Sequence, residues 1–297
     1  MTTAGFRSGF AVILGRPNVG KSTLLNRLVG QKLAIVSDKP QTTRNRIAGV
    51  VHRPGGQVVF VDTPGVQRPR DQLGEYLIKT ARAAMREVEL LLLVVEATSP
   101  PGPGDRYLAR ELGGSPAPAF LVVNKADLVP ADAGADILAR YAALAAFRHT
   151  FLLSAKSDST LEPLVSTVLE SLPEGPAYFP PDALTDQPER FVVAELVREQ
   201  ILHLTRDEIP HAAAVEVEEW NERPGGLIFI RAIVHVERES QKGIIIGHGG
   251  GLIKQVGQLA RQEIEVLLGT RVYLELRVKV SPDWRDRQAA LRSLGYH

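Results

Sequence analysis

Apolar periodicity divides the chain into two unlike halves. The first alternates short β-rich apolar runs with longer amphipathic stretches, which predicts strands at 10–14, 47–52, 58–61, 90–96, 120–123 and 150–153 and helices at 21–29, 73–88, 105–112, 132–147 and 160–172. That alternation is the pattern of a mostly parallel sheet covered by helices on both faces. Only Arg53, Pro54, Gly55, Gly56 and Gln57 separate the second strand from the third, so this pair is expected to form a hairpin with one antiparallel strand. Beyond residue 190 the order becomes a helix at 191–205, strands at 212–221 and 227–237, two helices around a glycine cluster, a strand at 271–280 and a closing helix at 283–294. Helices against a small, mainly antiparallel sheet make an α+β module. Five prolines within 173–188 interrupt both periodicities. The expected domains are therefore 1–175 and 191–297, with a linker at 176–190.

The chain's 297 residues suit about two domains. With 44% apolar and 23% charged residues it is neither disordered, collagen-like nor a coiled coil. Cysteine is absent, which excludes disulfides, thiolate metal sites and a cysteine nucleophile and suits a reducing cytoplasm. The longest strongly apolar run, 90–95, is far shorter than the roughly 20 residues that cross a bilayer, and the N-terminus lacks the pattern of a secretory signal. Residues 1–175 carry 20 basic and 16 acidic residues (net +4), and 176–297 carry 15 and 18 (net −3). Neither half is a basic sponge, so nucleic-acid binding, if present, must rest on local geometry and local charge. A monomer without a DNA partner is expected.

After the first strand, Gly15-Arg16-Pro17-Asn18-Val19-Gly20-Lys21-Ser22 fits G-x-x-x-x-G-K-[ST] and leads directly into a helix. In such a loop successive N–H groups and the positive helix end face phosphate oxygens, Lys21 bridges the β- and γ-phosphates, and the Ser22 hydroxyl ligates Mg²⁺. Thr23 completes the phosphate-binding set. A P-loop alone leaves ATPase, kinase and GTPase open. Asn124-Lys125-Ala126-Asp127 ends the fifth strand, where the Asp127 carboxylate can accept both guanine N1–H and N2–H₂, a donor pair adenine lacks. Asn124 would brace the loop and meet the base edge, and the Lys125 stem would cover one ring face. Ser154-Ala155-Lys156 ends the sixth strand, where the Ala155 N–H can donate to guanine O6. Each segment is weak alone; both in this order after a P-loop point to GTP and GDP.

Asp62-Thr63-Pro64-Gly65 follows the third strand, where Asp62 can hold Mg²⁺ through a water and the Gly65 N–H can touch the γ-phosphate. Gln41-Thr42-Thr43-Arg44 supplies a threonine for Mg²⁺, with Thr43 favoured over Thr42; alternatively both merely begin the second strand. Ras-like enzymes place a water-positioning glutamine after this glycine, but here stands Val66, which has no donor or acceptor. Intrinsic hydrolysis is expected to be slow. The Asn18 carboxamide is a candidate ligand for K⁺ between the phosphates; equally, Asn18 simply tolerates a tight turn.

In the second half, Ile244 to Ile253 places an apolar helix end, a G-x-x-G loop (Gly247, His248, Gly249, Gly250) and a second helix in sequence. This is the K homology (KH) arrangement, whose loop grips the backbone of about four unpaired nucleotides. Lys242, His248, Lys254 and Arg261 gather local positive charge, although His248 reads equally as an exposed loop residue. Ile246 and Ile253 read as core, with edges able to line an apolar groove. The terminal helix, with Trp284, Arg285, Arg287 and Arg292, reads as packed on the module, with a membrane-surface or RNA-backbone contact as the alternative. Three other readings compete with the whole: a P-loop small-molecule kinase, an RNA-binding scaffold with negligible hydrolysis, and a C-terminal module that docks protein or lipid.

GRPNVGKS, PQTTR, DTPGV, NKAD and SAK, followed by VERESQKGIIIGHGG, together resemble the Era family of bacterial GTPases with a C-terminal KH domain, in order and spacing over nearly the whole chain. The resemblance implies an α/β P-loop GTPase domain, with a mixed six-stranded sheet containing one antiparallel strand, followed by a small α+β type II KH domain. It further implies binding to the 3′ end of small-subunit ribosomal RNA and a role in 30S subunit assembly. Some members of the family also associate peripherally with the inner membrane. Gly249 and Gly251 leave this loop unusually bare, so RNA affinity is expected to lean on Lys254 and its helix.

Overall fold

A computed structural model of the chain describes residues 5–39, 41–65, 71–85, 88–157 and 161–296. Two compact units form: Met1–Ala34, Thr43–Arg68 and Tyr76–Asp186 make the first, and Ile35–Thr42, Pro69–Glu75 and Gln187–His297 the second.

The first unit is a six-stranded sheet in the order β2-β3-β1-β4-β5-β6, built from β1 (Arg7–Leu14), β2 (Ile47–Arg53), β3 (Gly56–Asp62), β4 (Leu90–Glu96), β5 (Ala119–Asn124) and β6 (His149–Leu152). Only the β2–β3 hairpin, closed over Pro54 and Gly55, is antiparallel. β4 reads LLLLVVE and is buried on both faces through Val95, as a central parallel strand must be. One face is covered by α1 (Lys21–Val29) and α5 (Glu162–Ser171). The other packs Leu108 and Leu112 of α3 (Pro103–Leu112) and Tyr141 of α4 (Gly134–Ala142) against Leu91, Leu93, Leu121 and Val123. Ala84, at the end of α2 (Gln72–Ala84), joins the same core. Because the sheet is mainly parallel, the loops carrying the phosphate and guanine motifs all leave the C-terminal ends of their strands.

Three expectations differ here. The helix expected at 132–147 is a 3-10 turn at Ala131–Ala133 and then only α4; past it the chain leaves helical geometry while Leu144 and Phe147 still pack on the core. The helix expected at 73–88 ends at Ala84, with residues 86 and 87 outside the described set. The proline-rich segment does not hang free as a linker. Ser8 Oγ donates to the Pro176 carbonyl, Gln57 bonds Tyr178 and Phe179, and the Val50 N–H donates to Leu184 O, so residues up to 186 follow the edge of this sheet. Prolines suit an edge because they cannot continue a ladder.

The second unit contains α6 (Glu189–Leu204), α7 (Ile209–Ala212), β7 (Ala214–Glu222), β8 (Ile228–Val236), α8 (Glu239–Ile246), α9 (Gly251–Leu268), β9 (Val272–Val280) and α10 (Gln288–Ser293). The sheet order is β7-β8-β9. β7–β8 is antiparallel, but β8–β9 is parallel, which corrects the expected mainly antiparallel sheet. The reason is the connection: α8, the glycine loop and α9 form a long crossover that returns the chain to the same end. α7 escaped sequence reading because it is one turn containing Pro210. Val193, Val197, Ile201, Ile230, Val234, Ile245, Val256 and Ile264 form the core. The terminal segment packs inward, with buried Trp284 donating its indole N–H to Ala212 O at 2.8 Å and Leu291 also buried, so its apolar side is occupied within the unit. Among the described residues, no helix is long and apolar enough to cross a membrane.

Leu93→Ala empties space at a fully buried position of β4. It is expected to cost about 3 kcal/mol in chemical denaturation. Val266→Ala, 84% exposed, should change stability by less than about 0.5 kcal/mol.

Candidate functional site

The phosphate loop runs from β1 into α1, whose N-cap is Gly20. Lys21 is buried, and its ammonium donates to the carbonyls of Gly15 (3.2 Å) and Arg16 (2.9 Å), so the cation is held across the mouth of the loop. Asn18 sits at φ 65, the left-handed region that asparagine tolerates better than most residues. Thr23 lies half-buried in the first turn of α1. The loop also meets the Asp62 loop closely: a Cβ at Gly65 would stand 2.8 Å from Pro17 N, so only glycine allows the two segments to touch.

Three oxygen-bearing side chains converge beside Lys21. Ser22 Oγ lies 2.8 Å from Thr43 Oγ1 and donates to Asp62 Oδ2 at 2.7 Å, while Thr43 Oγ1 is 3.3 Å from the same carboxylate oxygen. Thr42 is turned elsewhere, its hydroxyl donating to Lys39 O at 2.6 Å. Burial pushes the Asp62 carboxyl above its ordinary value despite Lys21, Ser22, Thr43 and the Thr63 amide. Burial likewise pushes the Lys21 ammonium down, against the attraction of Asp62. Asp62 Oδ1 is buried without a hydrogen-bond partner among the described residues. A desolvated carboxylate with a spare oxygen beside two hydroxyls is a donor set suited to a hard divalent cation, and the buried charge of Lys21 suits phosphate. Thr63 plays another part than expected: its hydroxyl donates to Ile13 O at 2.8 Å and ties β3 to β1, and Pro64 is buried beside it. Val66 lies outside the described residues.

Asn124 joins the two halves of the site. Its Nδ2 donates to Val19 O at 2.9 Å, in the phosphate loop, and its Oδ1 accepts the Ala155 N–H at 2.8 Å, in the opposite loop. The Ala155 N–H expected to meet guanine O6 is thus directed at Asn124. Asp127 is exposed in a single 3-10 turn, and a hydrogen bond from Ser154, aided by Lys156 and Lys125, holds its carboxyl below the ordinary aspartate value. It stands ionised at neutral pH, as an acceptor of two guanine donors requires. Lys125 takes a left-handed conformation (φ 64), and its ammonium reaches Glu96. Arg27 of α1 donates to Lys156 O at 3.0 Å. Sequence reasoning missed Glu96 and Arg27, which lie outside every motif.

In the second unit the loop between α8 and α9 carries Gly247 at φ 73, where a Cβ would fall 2.8 Å from Leu252 Cβ. Cβ atoms at Gly249, Gly250 and Gly251 would meet nothing within 4 Å, so the loop's outer side is open. His248 and Lys254 are exposed at the loop, Arg261 is exposed about 15 Å further along α9, and Lys242 is half-buried, 3.8 Å from Glu239. Ile253 packs on the core, whereas Ile246 is half-buried and Ile244 is 52% exposed. Of three consecutive isoleucines on a helix only Ile245 can face the core, a signal already in the 100° spacing that would have singled out Ile244. The same unit holds the loop before Thr43. Arg198, wholly buried on α6, donates to Thr42 O and to Glu195, and Glu199 Oε1 accepts the Val36 N–H at 2.8 Å. Arg285 pairs with Asp71 (3.4 Å) and Glu237 (2.6 Å) in that unit.

A parallel sheet with a phosphate loop, an Asp62 strand end and a guanine-selective pair of loops, followed by a glycine-loop α+β module, defines a P-loop GTPase joined to a KH domain. Residues 10–125 match the family described as 50S ribosome-binding GTPase, and residues 208–285 match the KH domain. The chain is 52% identical to GTPase Era of Heliobacterium modesticaldum over 98% of its length and 97% of the relative's, and 50% identical to GTPase Era of Geobacter metallireducens over the whole of both chains. Among solved structures, Era in complex with MgGDPNP and nucleotides 1506–1542 of 16S ribosomal RNA superposes with TM-score 0.94 at 39% identity, covering 98% of this chain and 99% of that one. A variant of Aquifex aeolicus Era bound to GDP·AlF4⁻ gives TM-score 0.94 at 38% identity, with the same coverage. The chain belongs to the Era family of GTPases, and its reaction is hydrolysis of GTP to GDP and phosphate.

Asp127→Asn replaces a double acceptor by a group that donates at one position, which suits xanthine rather than guanine. GTP affinity is expected to fall by about 100-fold or more, with a gain for xanthosine triphosphate, measured by calorimetry; unchanged preference would reject the base assignment.

Proposed function

We propose that this GTPase is a guanine-nucleotide switch that binds the 3′ end of small-subunit ribosomal RNA through its KH loop and assists 30S subunit assembly. The observation that carries the RNA part is the open glycine loop, flanked by exposed His248 and Lys254 and by half-exposed Ile244, with Arg261 exposed further along α9. A bare backbone lets phosphates approach N–H groups, the cations neutralise them, and the isoleucine edge offers an apolar surface to unpaired bases. The RNA-bound Era structure supports the choice of RNA.

In this reading Ser22 and Thr43 would hold Mg²⁺ directly and Asp62 through a water, and the ion would neutralise charge developing on the β- and γ-phosphates. Lys21 orients the same phosphates. Gly65 N–H registers the γ-phosphate, so its loss on hydrolysis releases the loops around Thr43 and Gly65. RNA affinity then differs between nucleotide states, to the extent that each state favours a different arrangement of the loops. Supporting this, the neighbouring segments Ile35–Thr42 and Pro69–Glu75 are held within the KH-bearing unit by Arg198, Glu199 and Arg285. Val66 cannot orient water, so intrinsic turnover is slow. A potassium ion at the Asn18 carboxamide would add positive charge there, and replacing K⁺ by Na⁺ in the assay would then lower turnover.

Two substitutions test the reading. Thr43→Ala should weaken Mg²⁺-dependent binding of a GTP analogue about tenfold or more, while Thr42→Ala leaves it within about twofold, by titration with and without Mg²⁺. Replacing His248 and Gly249 by Asp puts two carboxylates beside the RNA backbone. Affinity for a single-stranded RNA of the 3′-end sequence should fall at least about tenfold with RNA-free GTP turnover unchanged; unchanged affinity would refute the glycine-loop assignment.

A further inference from the structure

Glu96 is the last residue of β4 and lies in register with Asn124 on β5, so its side chain enters the space between the phosphate loop and the guanine loop. Its Oε2 is 2.5 Å from the Lys125 ammonium. Its Oε1 is 3.7 Å from Arg16 Nη2 and accepts from Ser99 Oγ at 3.3 Å. The backbone of the same residue is fixed as well, since the single proton of the buried Tyr141 hydroxyl is shared between Ser99 O at 2.9 Å and Glu96 O at 3.2 Å. Behind Arg16 stands Asp105, completely buried, whose Oδ1 accepts Arg16 Nε–H at 2.7 Å and whose Oδ2 accepts the Gly102 N–H at 2.8 Å where α3 begins. A chain of charge therefore runs from the buried start of α3, through Arg16 of the phosphate loop and Glu96, to Lys125 of the guanine loop. None of these contacts involves the hydroxyl and carboxylate cluster around Ser22.

We propose that Glu96 is a positioning residue for nucleotide binding, fixing the Lys125 side chain over the guanine pocket and tying the base loop to the phosphate loop through Arg16. The inference rests on the reading that the Lys125 stem covers one face of guanine. Lysine has four rotatable bonds, and an unanchored stem samples many courses. An ion pair with both partners largely shielded confines it to one, and here the carboxylate is itself held by Ser99 and Arg16 while Tyr141 meets the backbone carbonyl of the same residue. Burial pushes the Glu96 carboxyl up, but the Lys125 hydrogen bond and the Lys125 and Arg16 charges outweigh that and leave it below the ordinary glutamate value. The pair is thus formed at neutral pH. Because guanine is common to GTP and GDP, an effect acting through Lys125 changes the affinity of both nucleotides by the same factor and leaves the chemical step alone.

The test uses the full chain with Glu96→Gln, Glu96→Asp, Lys125→Met and the Glu96→Gln/Lys125→Met pair, reading GTP and GDP affinity by calorimetry and turnover at saturating GTP. Lys125→Met should weaken both nucleotides; if it does not, the base-covering reading fails and the inference with it. Glu96→Gln should raise KM for GTP and Kd for GDP by about tenfold with kcat within twofold, and Glu96→Asp should recover part of that loss. In the Lys125→Met background Glu96→Gln should weaken binding no further. Unchanged affinity in Glu96→Gln, a loss confined to GTP, a fall in kcat alone, or full additivity with Lys125→Met would each overturn the inference while leaving the Lys125 reading standing.

Discussion

The nucleotide site depends on the two hydrogen bonds of one amide, Asn124. Its nitrogen holds the Val19 carbonyl and its oxygen holds the Ala155 amide, so the phosphate loop after β1 and the base loop after β6 are fixed to the end of the strand that lies between them in function. A carboxamide supplies a donor and an acceptor side by side on one planar group, and glutamine, the other carboxamide, is longer by a methylene. The space is fully used: a Cβ on Gly20 would come within 2.3 Å of the Asn124 nitrogen. Around this clamp the charges are arranged in two groups. Lys21, Asp62 and Thr43 are buried, and the half-buried Ser22 hydroxyl joins them. Arg16, Glu96, Lys125 and Asp105 pair with one another, Arg16 Nη2 reaching Glu96 only as a 3.7 Å ion pair. Only the first group suits phosphate and metal.

The division of the chain follows contacts rather than sequence order. The segments that precede Thr43 and follow the Gly65 loop are gathered with residues 187–297, through Arg198 and Glu199 on α6 and through Arg285 near the C-terminus. A buried arginine is costly to desolvate unless its donors are used; Arg198 uses Nε and Nη2 on Glu195 and on the Thr42 carbonyl, while its buried Nη1 has no hydrogen-bond partner among the described residues.

Much of this was legible in the sequence because phosphate, guanine and RNA backbone each demand particular residue types at fixed spacing. The P-loop, Asp62, Asn124, Asp127 and the 247–250 glycines announce themselves for that reason, and the alternation of apolar runs placed all six strands of the first sheet. What stayed hidden was set by tertiary partners. Glu96 looks like an ordinary polar end to an apolar strand until Lys125 and Arg16 are seen beside it. The parallel β8–β9 pairing depends on where a crossover returns, which periodicity does not record. The proline-rich 176–186 segment reads as a linker by composition, yet Gln57 and the open edge of β2 give its backbone partners. Thr63, placed by its motif at the phosphate, turns its hydroxyl to the Ile13 carbonyl of β1.

The central claim is that a buried cation and a buried oxygen cluster hold the triphosphate while Asp127 selects the purine. Titration calorimetry of the purified chain with GTP, GDP and ATP, in the presence and absence of Mg²⁺, tests it most directly. Binding of both guanine nucleotides, with Mg²⁺ strengthening GTP more than GDP and with no measurable heat from ATP, is the predicted result. ATP binding as tight as GTP, or no binding of any of the three, would contradict the account.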